Sequence, residues 1–93
     1  MEKNFILIKG EIIKIVSRKK DKKIIKCNIR VPESETKFSI FRVNFIGELA
    51  EEFYNNYKID DEIFIEGTLR SSRFNLNGET IYSVEIQAKK IIQ

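Results

Sequence analysis

The chain has 93 residues, of which 42% are hydrophobic and 33% charged, a size and composition that predict one globular domain over 1–93 with a single core and exclude disorder. It contains no His and a single Cys, Cys27, so an intrachain disulfide and a thiol-rich or histidine metal site are excluded and hydrolytic or metal-dependent catalysis has little to work with. The net charge of +3 is unevenly spread, with ten Lys/Arg against three Asp/Glu over residues 1–31, three against nine over 32–69 and four against two over 70–93. This implies either one basic side suited to a polyanion or a solvated lysine-rich surface of the kind that AT-rich coding also produces.

No apolar run approaches the roughly 20 residues needed to cross a bilayer. Met1-Glu2-Lys3-Asn4 leads directly into a strand-like segment, so a cytoplasmic protein with no membrane partner is expected. Phe5 to Ile8 and Ile12 to Val16 predict one long, coiled first strand, with Gly10 marking a bulge or sharp bend. Ser17-Arg18-Lys19-Lys20-Asp21-Lys22-Lys23 has no apolar residue and predicts an exposed basic loop. Ile25, Cys27, Ile29 and Val31 alternate with Lys26, Asn28 and Arg30, the pattern of a half-buried strand with one polar face. Cys27 is in phase with the apolar set and is expected to be a small buried hydrophobe.

Pro32-Glu33-Ser34-Glu35-Thr36 stops that strand, since proline cannot donate to a central ladder. The third strand, from about Lys37, carries Phe41, Val43 and Phe45 on one face and Phe38, Ile40, Arg42 and Asn44 on the other. The period then changes. Ile46, Leu49, Ala50, Phe53 and Tyr57 share one helical face, with acids near the N-terminus that favour the helix dipole. Phe53, Tyr54 and Tyr57 are expected to pack the helix on the barrel end. Ile63 and Ile65 resume alternation up to Gly67 and Leu69. Arg70 to Gly78 is expected to be a connection ending in the Asn77-Gly78 hairpin turn, before a fifth strand from Thr80 to Ile86 or beyond. Tyr82 alternates with Val84 and Ile86, which predicts a core position.

Three strands, one helix and two strands form the order of an all-β, five-stranded Greek-key OB-fold barrel, whose helix plugs the barrel end. A five-stranded SH3-like barrel is the alternative, and a three-turn helix at that position argues against it. The carboxylates of Glu48-Glu51-Glu52 and Asp60-Asp61-Glu62 fall on the outer helix face and a loop, as a solvated acidic surface would. No catalytic residue, metal or cofactor is therefore expected.

Arg42-Val43-Asn44-Phe45-Ile46-Gly47-Glu48-Leu49-Ala50-Glu51, followed by Asp61-Glu62-Ile63-Phe64-Ile65-Glu66-Gly67-Thr68-Leu69-Arg70, resembles the bacterial single-stranded-DNA-binding protein family. That family reads R-V-x-x-F-G-K-L-A-E and then G-x-x-V-x-I/V-E-G-x-L-R. Asn4 to Gly10 is similar to its opening strand and Tyr82-Ser83-Val84-Glu85-Ile86 to its closing one, and Ser17 to Thr36 matches least. The resemblance implies a non-catalytic, largely sequence-independent binder of single-stranded DNA in replication, repair, restart or DNA transfer, self-associating as a homodimer or homotetramer. It also places Ile40 at the family's strand-three tryptophan, Ile46 at the phenylalanine of F-G-K-L-A-E, and Phe74 at a stacking tryptophan. The chain ends at Gln93 without the family's glycine-rich linker and acidic tail, which is expected of a short, tail-less primosomal or mobile-element relative, with replication or mobile-element proteins as further partners.

Single strands are held by rings that stack on bases and by cations that neutralise phosphates. The candidates are Phe74 for stacking, Lys14, Arg18, Lys19, Lys20, Lys22 and Lys23 for charge around the first connection, and Arg30, Arg42, Arg70 and Arg73 on polar strand faces. Phe38 and Ile40 either line the same groove or fill an oligomer contact. The competing reading is an OB-fold protein-interaction module of a replication or conjugation complex, in which Phe38, Ile40 and Ile46 meet a protein partner and DNA binding is weak or lacking.

Overall fold

In the computed structural model, residues 4–19, 21 and 23–93 are described, Ser72 and Phe74 by their backbone alone. The alternating segments form five strands, β1 (Ile6–Lys19), β2 (Ile24–Pro32), β3 (Phe38–Ile46), β4 (Glu62–Leu76) and β5 (Glu79–Ile92), with the helix α1 (Glu48–Asn56) between β3 and β4. The sheet closes on itself in the order β1-β2-β3-β5-β4. Neighbouring strands run antiparallel except β3 and β5, which meet in parallel at Val43 with Ile86 and Asn44 with Gln87. The architecture is the OB fold that the element order predicts.

β1 is shared between two partners, pairing with β4 over Ile6 to Glu11 and with β2 over Glu11 to Lys19. The bulge expected at Gly10 occurs instead at two places downstream, between Ile12 and Lys14 and between Ile15 and Ser17; each adds twist and coils the strand. Gly10 stays in register opposite Ile63. It is needed for close approach, since a Cβ there would collide with the Arg30 carbonyl oxygen and come within 2.8 Å of Ile29 Cγ2.

Two expected connections are largely strand. Ser17, Arg18 and Lys19 continue β1 and pair with Lys26, Ile25 and Ile24, which leaves four residues, 20–23, between the two strands. Arg70 to Leu76 likewise continues β4, in unbroken register with Glu85 to Glu79 of β5. Only Asn77 and Gly78 turn the chain, with φ of 52° and 83°, as a two-residue hairpin turn with both central residues at positive φ requires. The β4–β5 hairpin projects past the core, so neither of its faces needs apolar residues and the hydrophobic period lapses while the ladder persists, whereas at the β1–β2 end Arg18 takes the inward position beside buried Ile25. Tyr82 lies on this projecting arm and is 70% exposed, so it is not a core residue: its phase is that of buried Ile86, but no barrel lies beneath it.

The core is the inward phase of the five strands, with Ile12, Ile29, Val43, Phe45, Ile63, Ile65 and Ile86 fully buried beside Cys27. Burial pushes the Cys27 thiol from its ordinary 9.0 up to about 12, as expected for a thiol shut away from water. α1 closes one end through Ala50 and Phe53, the Phe53 ring stacking on Phe45 at 4.7 Å and on Tyr57 at 6.0 Å between centroids. Glu48 and Glu51 occupy its first turn, and it ends where the Tyr57 N–H donates to Phe53 O with Tyr57 already extended. Tyr54 departs from the expected packing: it is exposed on the helix, with the Arg18 guanidinium 4.6 Å from its ring centroid.

Candidate nucleic-acid interface

Cross-strand partners share a face, so the register defines the outer surface of β1, β2 and β3 row by row. From the α1 end, the rows are Lys19, Ile24 and Ile46; Ser17, Lys26 and Asn44; Lys14, Asn28 and Arg42; Glu11, Arg30 and Ile40; and finally Pro32 with Phe38. Phe38 is 55% and Ile40 51% exposed, on the stretch of β3 that pairs with β2 and not with β5. The polar phase of β2, evident in the sequence as Lys26, Asn28 and Arg30, thus lies between Ser17, Lys14 and Glu11 of β1 and Asn44, Arg42 and Ile40 of β3. The surface extends onto β5 and β4, where Asn44 pairs with Gln87 and Glu85 with Arg70.

Specific contacts orient these groups. The Arg30 Nη2 donates to Glu11 Oε1 at 2.9 Å, and its guanidinium stands 5.6 Å from the Phe38 ring centroid. Arg42 donates through Nε to Asn28 Oδ1 at 2.8 Å, and Arg70 through Nη1 to Gln87 Oε1 at 3.0 Å. The Asn44 Nδ2 donates to Glu85 Oε2 at 2.9 Å. Lys14 and Lys19 are exposed and make no ion pair among the described residues. Beyond the Phe38 end, an open cleft of about 810 Å³ runs between Arg30, Pro32, Lys37 and Phe38 on one side and Lys9 and Glu62 on the other.

The register brings together Lys14, Lys19, Arg30, Phe38, Ile40 and Arg42 on one surface, with Arg70 at its β4 margin. It separates others from them. Arg18 pairs with inward-facing Ile25 and turns to Tyr54 at the helix end. Lys23 is drawn to the same end by Glu51, 2.9 Å away, and the Glu51 hydrogen bond and charge raise its pKa above the ordinary lysine value. These two line a separate cleft of about 440 Å³ between the hairpin and α1, with Ile25, Ala50 and Tyr54. Arg73 pairs with Tyr82 and so projects from the opposite face of the arm from Arg70. Phe74 pairs with Ile81 through its backbone, which puts it on a strand instead of in the expected loop; its side chain, and Lys20 and Lys22 altogether, lie outside the described residues. Lys26, Asn28, Asn44 and Glu85 were not among the candidates. The alternation of the second strand signals the first two, whereas Asn44 and Glu85 need the β3-β5 pairing, which no local pattern encodes.

No protein-family model matches the chain, and no curated protein does. Solved structures do. The small single-stranded DNA-binding protein of Streptomyces coelicolor superposes with a TM-score of 0.76 at 16% identity, covering 98% of this chain and 94% of that one. The mitochondrial single-stranded DNA binding protein of S. cerevisiae gives 0.75 at 15% identity over 99% and 95%. An SSB domain from Synechococcus sp. gives 0.73 at 14% over 100% and 98%. The chain has the single-stranded-DNA-binding-protein fold. At such identity the likeness lies in the backbone, so in this SSB-like OB fold the side chains of the outer face carry the argument about binding. Among the described residues, no helix is long and apolar enough to cross a membrane, and no cluster of three or more His, Cys, Asp and Glu is arranged to hold a metal ion.

Proposed function

We propose that the protein binds single-stranded DNA without catalysis, across the outer face of β1, β2 and β3. The observation that carries this reading is the juxtaposition on one surface of an exposed ring and an exposed isoleucine, Phe38 and Ile40, with Lys14, Lys26, Arg30 and Arg42. Rings and apolar side chains offer bases a surface to stack on, and the cations track the phosphates. A duplex hides its base faces and gains only the charge term, so a preference for single strands follows. The likeness to three single-stranded-DNA-binding structures supports the same assignment. Replication, repair, restart or DNA transfer are the processes the reading serves, carried out in the cytoplasm by a homodimer or homotetramer. Lys20 and Lys22, which follow β1 in the sequence, and Phe74 on the arm extend the interface on the strength of their chemistry. Anisotropy titration with a dT oligomer and its duplex counterpart, at several salt concentrations, tests the proposal: tighter binding of dT with steep salt dependence is expected, and no binding at low salt refutes it.

The exposed trio Phe38, Ile40 and Ile46 also suits a protein partner. That second reading is favoured if DNA-free protein captures a stable partner that Ile40→Glu abolishes while charge reversal of Lys14 and Lys19 leaves it intact.

A further inference from the structure

Glu85 stands where the proposed interface should be most basic. It reaches the outer face between Lys26 of β2 and Arg42 of β3, whose Nζ and Nη1 each lie 3.9 Å from one of its carboxylate oxygens. Its side chain is 19% exposed, against 39% for Lys26 and 37% for Arg42. Both separations exceed the roughly 2.7–2.9 Å of a charge-assisted hydrogen bond, so the carboxylate attracts both cations without fixing either. Arg42 takes its orientation from Asn28, and Glu85 takes its own from the Asn44 amide. The Asn44 Oδ1 is buried without a partner among the described residues, so this cluster is one donor short of the satisfaction that buried polar groups normally reach. An ion pair built only for stability would close these contacts.

We propose that Glu85 is a tethered counter-anion within the nucleic-acid interface: its carboxylate occupies the position between Lys26 and Arg42 that a backbone phosphate takes, and a strand binds there by displacing it. The inference rests on the DNA-binding reading. One negative charge facing two positive ones leaves a single net charge for the strand, so Glu85 weakens binding and flattens its salt dependence. Its place on β5 makes it a fixed competitor, present at any salt concentration.

Glu85→Gln keeps an acceptor for the Asn44 amide and removes the charge. In dT titrations across salt it should bind about fivefold tighter or more at low salt, the weight of one unit charge at about 4 Å in water. Its log K against log salt should be steeper by about 0.7, one further phosphate neutralised. In an Arg42→Gln, Lys26→Gln background the same substitution should gain little. Unchanged or weaker binding with an unchanged slope overturns the proposal, as does a full gain in the background lacking both cations. If wild-type protein does not bind dT, the DNA-binding reading fails, and inorganic polyphosphate decides the inference: tighter binding by Glu85→Gln sustains it and equal binding overturns it. Should Glu85→Gln not fold, Glu85→Asp, which retracts the carboxylate by one methylene, must show the same direction of change.

Discussion

Phe38 offers the sharpest separation of stacking from charge. Its ring is 55% exposed, so replacing Phe38 with Ala removes little packing from the free protein, and a stability change within about 0.5 kcal/mol is expected. The contact with the Arg30 guanidinium, 5.6 Å from the ring centroid, is an exposed cation–π pair of the kind that contributes about 0.5–1 kcal/mol. A base stacked on the ring contributes about 1–3 kcal/mol, so Phe38→Ala should weaken dT binding by roughly 5- to 150-fold, at about 1.4 kcal/mol per factor of ten. The loss should be the same at every salt concentration, because no phosphate contact is removed. Arg42→Gln should instead flatten the slope of log K against log salt by about 0.7. Anisotropy titrations of both variants at four or more salt concentrations, with thermal melts as a check on folding, separate the two outcomes. If Phe38→Ala leaves affinity unchanged, or alters only the slope, base stacking on β3 is wrong.

Gly10→Ala should destabilise the barrel by about 1–3 kcal/mol, the usual cost of overpacking, because the added methyl meets the backbone of Arg30; urea melts measure it. Phe53→Ala should cost about 3–5 kcal/mol, since Phe53 is fully buried between Phe45 and Tyr57. Arg70→Ala should weaken dT binding while Arg73→Ala leaves it nearly unaltered, the two projecting from opposite faces of the arm. Cys27, with its pKa pushed up to about 12, should resist iodoacetamide at pH 8.5 until the protein unfolds. Below about pH 9 the thiol is neutral in both states and adds no slope; above it the unfolded chain ionises first, so this group's contribution to stability falls between pH 9 and 12. Cys27→Val should lessen that fall.

Where burial decided a residue's place, its position was legible in the sequence. Ile25, Cys27 and Ile29, and Val43 with Phe45, are buried at the alternation the sequence shows, and the helix begins where the period changes from two to about 3.6. Legibility ended where the hairpins leave the core. Ser71 to Leu76 lie in a ladder beyond the core, and a ladder wet on both faces imposes no pattern on its side chains, while Arg18 fills an inward position beside Ile25 with its guanidinium turned to Tyr54. Tyr82 failed for the complementary reason: its alternation with Val84 and Ile86 is real, but only Ile86 has a barrel beneath it. Gly10 was recognisable as a special position, yet its reason, the Arg30 carbonyl two strands' width of sequence away, is tertiary.

The candidate site divides along the same line. Strand phase is what sorts the basic residues, more than their density along the chain. Ser17 to Lys23 is the most basic stretch of the sequence, but Arg18 is on the inward phase and Lys23 is committed to Glu51, so both serve the junction with α1. The sparser cations Lys14, Lys26, Arg30 and Arg42 share the outward phase and form one surface. On the arm, Leu69, Val84 and Tyr82 continue the inward phase past the end of the core, so their exposure follows from hairpin length. Arg70 and Glu85 continue the outward phase, and Glu85 meets Arg42 and Asn44 across the parallel β3-β5 contact. That contact is the long-range pairing that, among the described residues, brings the end of the chain onto the β2–β3 surface, and it is why an acid from the closing strand sits among cations supplied by β2 and β3.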